Sequence, residues 1–412
     1  MTQPPECVEV LVAGGGVAGL AATALFASEG FTVACVDPAP VITSSTEAGS
    51  DLRSTAFLMP SVRLLQKSGL WDTLGKHATA LATMRIADAG GEEPAIRDEV
   101  DFNATDVGEE VFGFNLPNWL LRHEMTENLS QRENVFLLNG MGVEHFTPRT
   151  SGNIHRLSDG SQITAQLTIG ADGRNSRIRE ILDIDAKKWS YGQKALVFTV
   201  THTAPHHNVS TEIHRTGGPF TLVPLPGMDG HHRSAIVWMD TGPRAMELAA
   251  LDREAFEYDL NLRSCGVNGR LSLESERKVW PIISQVADRL NGPRTALVAE
   301  AAHVVPPIGA QGLNMSLADI ATLGELCATA RTKGKDIGAQ DLLGKYNRQR
   351  HPDIVARVAG IDALNRAAMQ ENLVLRDYRR SALKLLHGLA PVRKSVMALG
   401  LGMGARQTDP VN

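Results

Sequence analysis

The chain has 412 residues, of which 43% are hydrophobic and 21% charged, values typical of a globular enzyme with two or three domains. Its net charge of −5 argues against a general nucleic-acid-binding protein, and no apolar run reaches the roughly 18 residues needed to span a bilayer. The first residues lack a basic region followed by an apolar one, so we expect a cytoplasmic protein. The cysteines are scattered without a C-x-x-C pair, which predicts neither a disulfide framework nor a zinc site.

The first structured segment has the order of parts that a dinucleotide site needs. An apolar run at residues 8–13 predicts a buried parallel strand, and it leads directly into the G-x-G-x-x-G motif Gly14-Gly15-Gly16-Val17-Ala18-Gly19. In such a motif the first glycine permits a tight turn, the second lets the backbone approach a pyrophosphate, and the third lets the helix pack closely on the strand. The N-terminus of that helix, with its unpaired N–H groups and its dipole, favours an anion.

The second strand of this unit indicates the kind of nucleotide. The Ala-rich helix stops at Gly30, and residues 31–36 form another β-like run that ends in Asp37. A carboxylate at this point accepts hydrogen bonds from ribose hydroxyls but repels a 2′-phosphate. The sequence therefore predicts an adenosine nucleotide with a free 2′-OH, as in FAD or NAD. The alternative is a glycine-rich loop that binds nothing.

Two later segments repeat the pattern of a strand that ends in an acid. Residues 167–170 form an apolar run followed by Ala171-Asp172-Gly173 and a polar turn that contains Arg179. Residues 295–299 form another, followed by Glu300, a loop at 306–312 and a predicted helix at 313–330. Strands of an open α/β sheet present ligand-binding groups at their carboxyl ends, although an Asp-Gly pair can equally be a structural turn.

The texture of the sequence changes between these two segments. From residue 189 to 281, short β-rich runs alternate with turns rich in Pro, Gly and His, which predicts an antiparallel layer that covers the nucleotide site. The histidines of this layer lack the spacing of a metal site, so no metal is predicted. We divide the chain into a nucleotide-binding part at 1–188 with a β-rich insertion at about 83–114, a β-sheet substrate domain at 189–285, a second nucleotide-binding part at 286–368, and a basic helical tail at 369–412.

The tail is the strongly basic part of the chain. From Arg379 to Arg406 it has six Lys or Arg residues and no acid, and its apolar residues recur every three or four positions. Such a helix can pack on the body of the protein. The alternative is peripheral contact between its basic side and anionic headgroups at the inner membrane surface.

Together the three motifs resemble the three fingerprints of single-component flavoprotein aromatic hydroxylases. The resemblance rests on residues 14–19, on 170–173 with Arg179, and on 300–303 with the loop from Pro306 to Asn314, in an order that covers nearly the whole chain. Within that class, residues 189–196, 224–226, 311–319 and 389–393 with Trp238 are similar to the ubiquinone-biosynthesis hydroxylases. The resemblance implies an α/β fold like that of para-hydroxybenzoate hydroxylase, with a Rossmann-like FAD-binding domain, an inserted antiparallel β-sheet substrate domain and a C-terminal helical region.

The resemblance also implies which residues hold FAD. Asp37 would bind the adenosine ribose, while Arg53 and Arg122 would lie near the flavin and the pyrophosphate. Asp172 would belong to a motif associated with both FAD and the pyridine nucleotide, and Glu300 would face the ribityl chain and phosphates. The loop that ends at residue 314 would run along the isoalloxazine edge, where N–H groups stabilise negative charge. The implied cofactor-binding set is Gly14, Gly16, Ala18, Gly19, Asp37, Arg53, Arg122, Asp172, Glu300, Pro307, Gly309, Gln311, Gly312, Leu313 and Asn314.

The third fingerprint departs from the family pattern. The family usually has Gly-Asp where this chain has Ala299-Glu300, so the charge sits on a side chain one methylene longer and a methyl group is added. We expect this change to alter FAD affinity and local geometry rather than the fold. His303 is the nearest candidate for acid–base chemistry, but a loop histidine bonded to the backbone is an equal alternative, so no catalytic residue is assigned.

The resemblance implies a monooxygenase that uses FAD, NAD(P)H and O2 to hydroxylate a phenol-type ring through a flavin C4a-hydroperoxide. The substrate would be a polyprenylated quinone precursor in ubiquinone biosynthesis or another small aromatic compound. Two different functions stay open. One is a non-oxygenating flavin or NAD dehydrogenase, which shares the first fingerprint, and the other is a non-catalytic scaffold that has lost tight FAD binding through Ala299 and Glu300.

Overall fold

The computed structural model describes residues 5–47, 49–89, 95–215 and 217–369, so the predicted basic tail lies outside the described residues beyond Met369. The strands in these ranges are β1 (Cys7–Ala13), β2 (Val33–Asp37), β3 (Ser54–Leu58), β4 (Thr79–Leu81), β5 (Thr83–Ala89), β6 (Ile96–Asn103), β7 (Gly113–Pro117), β8 (Val135–Asn139), β9 (Val143–Pro148), β10 (Asn153–Leu157), β11 (Gln162–Gly170), β12 (Ala186–His202), β13 (Val209–Arg215), β14 (Gly218–Met228), β15 (His231–Thr241), β16 (Leu271–Leu273), β17 (Lys278–Ala287), β18 (Asn291–Gly292), β19 (Thr295–Leu297) and β20 (His303–Val304). The α-helices are α1 (Val17–Ser28), α2 (Met59–Lys67), α3 (Trp71–Leu74), α4 (Asn118–Ser130), α5 (Arg177–Ile181), α6 (Gly242–Ala250), α7 (Arg253–Ser264), α8 (Gln311–Thr332) and α9 (Gln340–Ala368).

The three sequence motifs lie on one eight-stranded sheet. Its strands β19, β11, β1, β2 and β8 are neighbours in that order, and each pair is parallel. Val10, Leu11 and Val12 of β1 are consecutive and fully buried, as expected for a parallel sheet buried on both faces. Because the strands run in the same direction, their carboxyl ends form one edge of the sheet. The glycine motif, Asp37, Asp172 and Ala299 all lie at that edge.

The helices next to this sheet pack with little room to spare. Helix α1 lies against α4 and α8. At the contact between α1 and α8, a methyl group on Gly324 would come within 2.6 Å of the Leu25 side chain. The absence of a side chain at position 324 therefore lets α8 approach α1 closely. This contact helps to fix α8. The N-terminus of α8 follows the loop at 306–310 that is predicted to lie along the flavin, which we call the flavin loop.

The second large sheet has nine strands and forms the other half of the fold. Its order is β20, β17, β12, β15, β14, β13, β5 and β6, with β16 beside β12. The pairs are antiparallel except β13 with β5, which is parallel. The hairpin of β5 and β6 thus extends this sheet, and the sequence predicted a β-rich insertion at about 83–114 without indicating which sheet it joins. Its partner, β13, lies more than a hundred residues away in the chain, so local patterns could not reveal the pairing.

Alternation along the strands gives this large sheet two different apolar faces. One face packs under α6 and α7 and buries Leu196, Phe198 and Trp238. The other face, which we call the inner face, carries Ala195, Val197, Tyr191, Val237, Met239, Trp280 and Ile282. The inner face is tied to the nucleotide-binding part because Lys278 Nζ donates to the Ser50 carbonyl at 2.7 Å and the Arg53 guanidinium lies 4.6 Å from the Trp280 ring centre.

A joint of polar side chains holds α9 on the large sheet. Asp362 Oδ1 accepts hydrogen bonds from Trp189 Nε1 at 2.9 Å and from the Tyr191 hydroxyl at 2.6 Å. Its other oxygen accepts from Arg366 Nε at 2.9 Å. Arg366 and the two ring donors hold the pKa of Asp362 at about 2. The last described turns of α9 are thereby fixed to β12. Among the described helices, none is both long and apolar enough to cross a membrane.

His155 in β10 makes the stability of the fold depend on pH. Its ring nitrogens lie 2.9 Å from Thr168 Oγ1 and 3.3 Å from the Ile163 carbonyl oxygen. Burial lowers the pKa of His155 to about 4. The native state therefore keeps the ring neutral, while the unfolded chain takes up a proton below about pH 6.5. The resulting stability is present above that pH and is lost as the pH falls towards 4.

We expect the free energy of unfolding to fall by about 2 kcal/mol more in the wild type than in His155→Gln between pH 7.5 and pH 5. Glutamine cannot take up the proton, so it removes this one contribution to the pH dependence. Urea unfolding at the two pH values measures the difference. Equal losses in the two proteins would contradict the assignment to His155.

Candidate dinucleotide-binding site

The glycine motif forms a turn that only residues without side chains can make. Gly14 follows β1 at φ +112°, and a methyl group there would lie 2.3 Å from the Ala171 carbonyl oxygen. A methyl group on Gly19 would lie 1.8 Å from the Gly14 carbonyl oxygen. These two contacts are the tight turn and the close helix packing that the sequence predicted. They also bring the first motif against the segment that contains Asp172.

The third position of the motif faces open space instead. A methyl group on Gly16 would meet no protein atom within 4 Å. Gly16 is also the N-cap of α1, where no side chain caps the helix and no acid occupies the first turn. The first turn of α1, which includes the buried Ala18, thus begins beside open space at Gly16. This arrangement fits a pyrophosphate, which needs donors, a favourable dipole and close approach of the backbone.

Asp37 closes the other side of the turn. Its Oδ2 accepts a short hydrogen bond from the Gly15 N–H, and Oδ1 accepts from the Ala39 N–H at 2.7 Å. Arg122 of α4 donates through Nε to the Gly15 carbonyl oxygen at 3.2 Å. Asp37 and Arg122 therefore both hold the glycine turn. Each carboxylate oxygen keeps a second lone pair, so Asp37 can still accept a ribose hydroxyl.

Arg53 lies between the loop before β3 and the large sheet. Its guanidinium donates to both oxygens of Asp51, at 2.8 Å from Nε and 2.7 Å from Nη2. Asp51 is held in turn by Asn118 Nδ2 at 2.9 Å. Burial alone would lower the pKa of Arg53, but the bonds and charge of Asp51 raise it overall. Arg53 is thus a charged group at the place where the nucleotide-binding part meets the inner face, next to Trp280.

Asp172 is used inside the chain. Its Oδ1 accepts from the Ser176 hydroxyl, and its Oδ2 accepts from the Ile178 N–H at 3.0 Å. Burial raises the pKa of this carboxyl, and the two hydrogen bonds offset the effect only in part. The structure therefore places Asp172 as the residue that orders the turn into α5. These hydrogen bonds fix the backbone that follows β11 at the carboxyl edge of the sheet.

Glu300 is paired with a residue that sequence reasoning missed. Arg174 donates to it from Nε at 3.1 Å and from Nη2 at 3.3 Å, so the longer glutamate arm reaches across to the second motif. Ala299 before it has a φ of +56°, in the left-handed region that favours glycine. Ala299 is thus a strained residue, and the Glu300 carboxylate after it is held in an ion pair by the second motif.

The loop before α8 has an irregular backbone and leads into a helix that no side chain caps. Gly309 and Ala310 have φ values of +60° and +56°, and no side chain caps α8. Pro307 of this loop is exposed. Gln311 donates from Nε2 to the Gly309 carbonyl at 3.0 Å. The N–H groups of the first turn of α8, at Gln311, Gly312 and Leu313, form a second place that favours an anion.

The side chain of Asn314 is engaged within the chain. Its Oδ1 accepts from the Leu58 N–H at 2.9 Å and from the Ser61 hydroxyl at 2.6 Å. Its Nδ2 donates to the carbonyls of Ala56 at 2.8 Å and Ala310 at 2.6 Å. All four hydrogen-bonding positions of the amide are therefore occupied within the chain. Asn314 ties the start of α8 to β3 and α2.

His303 is not bonded to the backbone through its ring, which corrects one of the two alternatives above. It lies in the short strand β20, and its Nε2 is 2.7 Å from Asp319 Oδ2.

In the β layer, the ring nitrogens of His202 and His206 bond to the backbone and to Ser234. Within the described ranges, no three His, Cys, Asp or Glu side chains gather as a metal-binding group.

Three groups of this site were absent from the sequence-based set: Asp51, Arg174 and Gln285. Gln285 of β17 donates from Nε2 to the Arg174 carbonyl at 3.1 Å, which joins the large sheet to the second motif. Arg179 donates to the carbonyls of Ala301 at 2.8 Å and Arg174 at 3.0 Å, which joins the second motif to the third. A basic residue directly after Asp172-Gly173 could have pointed to Arg174. Nothing local could have pointed to Gln285, whose role depends on strand pairing.

Comparisons with known proteins agree with this geometry. The model of a family described as FAD binding domain matches residues 7–359. Ubiquinone hydroxylase UbiL of Rhodospirillum rubrum is 31% identical over 400 residues, covering 96% of this chain and 90% of that protein. Human mitochondrial ubiquinone biosynthesis monooxygenase COQ6 is 28% identical over 441 residues, covering 95% and 92%.

The fold also matches a solved structure of the same class. The crystal structure of p-nitrophenol 4-monooxygenase PnpA from Pseudomonas putida superposes with a TM-score of 0.79 at 15% identity, covering 98% of this chain and 100% of that one. This likeness confirms the predicted fold class, an α/β nucleotide-binding part with an added antiparallel sheet. The family match over most of the chain confirms the resemblance. The chain therefore belongs to the family of FAD-dependent aromatic hydroxylases that includes the ubiquinone hydroxylases, and it is an FAD-dependent monooxygenase.

Proposed function

We propose that this monooxygenase hydroxylates the aromatic ring of a polyprenylated quinone precursor, as part of ubiquinone biosynthesis. The observation that carries the proposal is the alignment with ubiquinone hydroxylase UbiL along 96% of the chain. The inner face of the large sheet supports it, because this face is apolar and lies next to Arg53. A long apolar substrate needs such a wall.

We assign the cofactor-binding roles from the geometry of the carboxyl edge. Gly16 and the first turn of α1 hold the pyrophosphate, with Gly14 and Gly19 shaping the turn. Asp37 accepts the ribose hydroxyls, and Arg122 supports the turn behind it. The first turn of α8 lies along the flavin edge, and Glu300 lies near the ribityl chain, held by Arg174. The division of the chain at residues 188, 285 and 368 also stays a proposal.

Bound FAD supplies the redox and oxygen-transferring chemistry, with NAD(P)H as the reductant typical of the family. The chain itself orients the substrate and excludes water. Val237, Met239 and Trp280 form the wall against which the ring would lie. N–H groups at the start of α8 would stabilise the negative charge that develops on the isoalloxazine ring of the flavin. No described residue has the position of an obligatory acid or base, so we assign no proton-transfer step.

Quinone profiling of cells that lack this protein tests the function. We expect accumulation of a prenylated intermediate that lacks one ring hydroxyl, because the pathway stops at the missing oxygen. The purified protein should form the hydroxylated product while consuming O2 in step with NAD(P)H. Dye reduction without O2 uptake would indicate a dehydrogenase. A protein without flavin absorbance even after FAD is added would indicate a scaffold.

Asp37→Ala should weaken FAD binding by about 1.5–3 kcal/mol, the scale of hydrogen bonds to a charged group. The change removes an acceptor for ribose and the brace on the Gly15 N–H. Flavin retention on serial dilution measures the loss. The matched control is Glu9→Ala, which removes a carboxylate on β1 that bonds to Thr32 instead. Equal flavin retention in Asp37→Ala and wild type would rule out the ribose role.

Glu300→Ala should release flavin and leave the fold intact, whereas Ala299→Gly combined with Glu300→Asp should be tolerated. Glycine relieves the left-handed strain at position 299, which costs an alanine roughly 1 kcal/mol. Visible absorbance after gel filtration measures bound flavin. Glu180→Ala is the control, because this exposed carboxylate pairs only with Arg177 in the described contacts. A Glu300→Ala protein that stays fully yellow and active would show that this carboxylate does not serve the cofactor.

We further propose that the basic tail brings the enzyme to anionic membranes, where a polyprenyl substrate resides. Each Lys or Arg near the surface contributes about 1 kcal/mol, and salt screens the attraction. Changing Arg379, Arg380, Lys384, Arg393 and Lys394 to Gln should weaken co-sedimentation with anionic vesicles at low salt. The control changes Lys333 and Lys335, two exposed lysines after α8, to Gln. Failure of the wild type to co-sediment would contradict the membrane role.

A further inference from the structure

Three charged or polar side chains meet at the base of the flavin loop. His303 precedes the loop, Asp319 lies in α8, which follows it, and Arg350 lies in α9. His303 Nε2 is 2.7 Å from Asp319 Oδ2, and Arg350 Nε donates to Asp319 Oδ1 at 2.8 Å. We call these three residues the loop-base cluster. It joins three elements that are far apart in the sequence.

The cluster is almost completely buried. His303 is 2% exposed, Asp319 is 0% exposed and Arg350 is 8% exposed. His303 Nδ1 and Arg350 Nη2 are buried and have no hydrogen-bond partner among the described residues. Buried ions with unpaired nitrogens cost free energy, and apolar residues of similar size often give equal or greater stability. Stability alone therefore does not explain why these groups are here.

The position of the cluster suggests what it does. The bond from His303 to Asp319 closes the flavin loop at its base, because one partner lies before the loop and the other lies after it. His303 pairs with Val286 of β17, so the base of the loop is also held by the large sheet. Arg350 links Asp319 to α9 and donates from Nη1 to Asp353 at 2.7 Å. Helix α8 is thus held from two sides, by this cluster and by Asn314.

We propose that His303, Asp319 and Arg350 are positioning residues, which hold the loop and the first turn of α8 against the edge of the flavin ring. The inference rests on the flavin site proposed above. Because Gly309 and Ala310 have left-handed backbones, this loop has no regular structure of its own to fix it. The direction of the N–H groups at the start of α8 then depends on how α8 is anchored.

The proposal predicts an effect on the flavin as well as on stability. Correctly placed N–H groups favour the reduced flavin, whose negative charge they stabilise. A loosened α8 should therefore weaken the binding of reduced flavin more than that of oxidised flavin. A tenfold difference between the two losses corresponds to a midpoint potential about 30 mV more negative for a two-electron couple.

The test uses Asp319→Asn and His303→Gln in the full-length protein saturated with FAD. We expect FAD to bind about tenfold more weakly or worse, the visible flavin spectrum to change, and the midpoint potential to fall by about 30 mV. The matched control is His155→Gln, because His155 is also buried and hydrogen-bonded but lies in β10, away from α8. The control should lose stability while keeping the wild-type spectrum and potential.

Variants of the cluster that lose stability but keep the wild-type spectrum and potential would overturn the proposal. If Asp319→Asn does not fold, His303→Gln carries the test, since it removes the imidazole at the base of the loop and leaves the Arg350–Asp319 pair in place. Arg350→Lys, which keeps the charge, should lower the potential less than Asp319→Asn does. The measurements need no substrate. A wild type that binds FAD but does not hydroxylate a quinone precursor would therefore contradict only the proposed function.

Discussion

The close approach of α1 to the ends of β1 and β11 is the constraint on which the whole site depends. Two hydrogen atoms, at Gly14 and Gly19, stand where a methyl group would lie 2.3 Å or less from a carbonyl oxygen. This contact sets the height of α1 above the sheet. It therefore also sets the space at Gly16 and the distance from Asp37 to the turn. The proposed place for a pyrophosphate therefore depends on this contact.

Several motif residues act by building the site and are occupied within the chain. Asp172 orders the turn into α5, and Asn314 ties α8 to β3. Their hydrogen bonds hold backbone N–H groups in place, and those N–H groups are what a phosphate or a flavin edge needs. A sequence motif of this kind therefore indicates a backbone conformation as well as a set of side-chain contacts.

The parts that could be predicted from sequence are those with local causes. The glycine turn, Asp37 and the fold class follow from spacings within about thirty residues and from the order of three such motifs. The Arg174–Glu300 pair, the bond of Gln285 to the second motif and the place of β5 could not be predicted, because each depends on which distant strands become neighbours. His303 was found, but its partner Asp319 lies one loop and two helical turns away.

The pairing of β11 with β19 has a consequence for how the protein is made. Thr168 and Thr295 are neighbours in the parallel sheet, although the whole large-sheet segment separates them in the chain. A ribosome has synthesised about three quarters of the chain before α8 begins to fold. Until β19 has been made, residues 168–170 of β11 lack their partner on that side and are open to mispairing with another chain, because β10 covers only residues 162–165. A flavin held against α8, as proposed above, can be captured only after this point, so chains truncated before α8 should be recovered without colour.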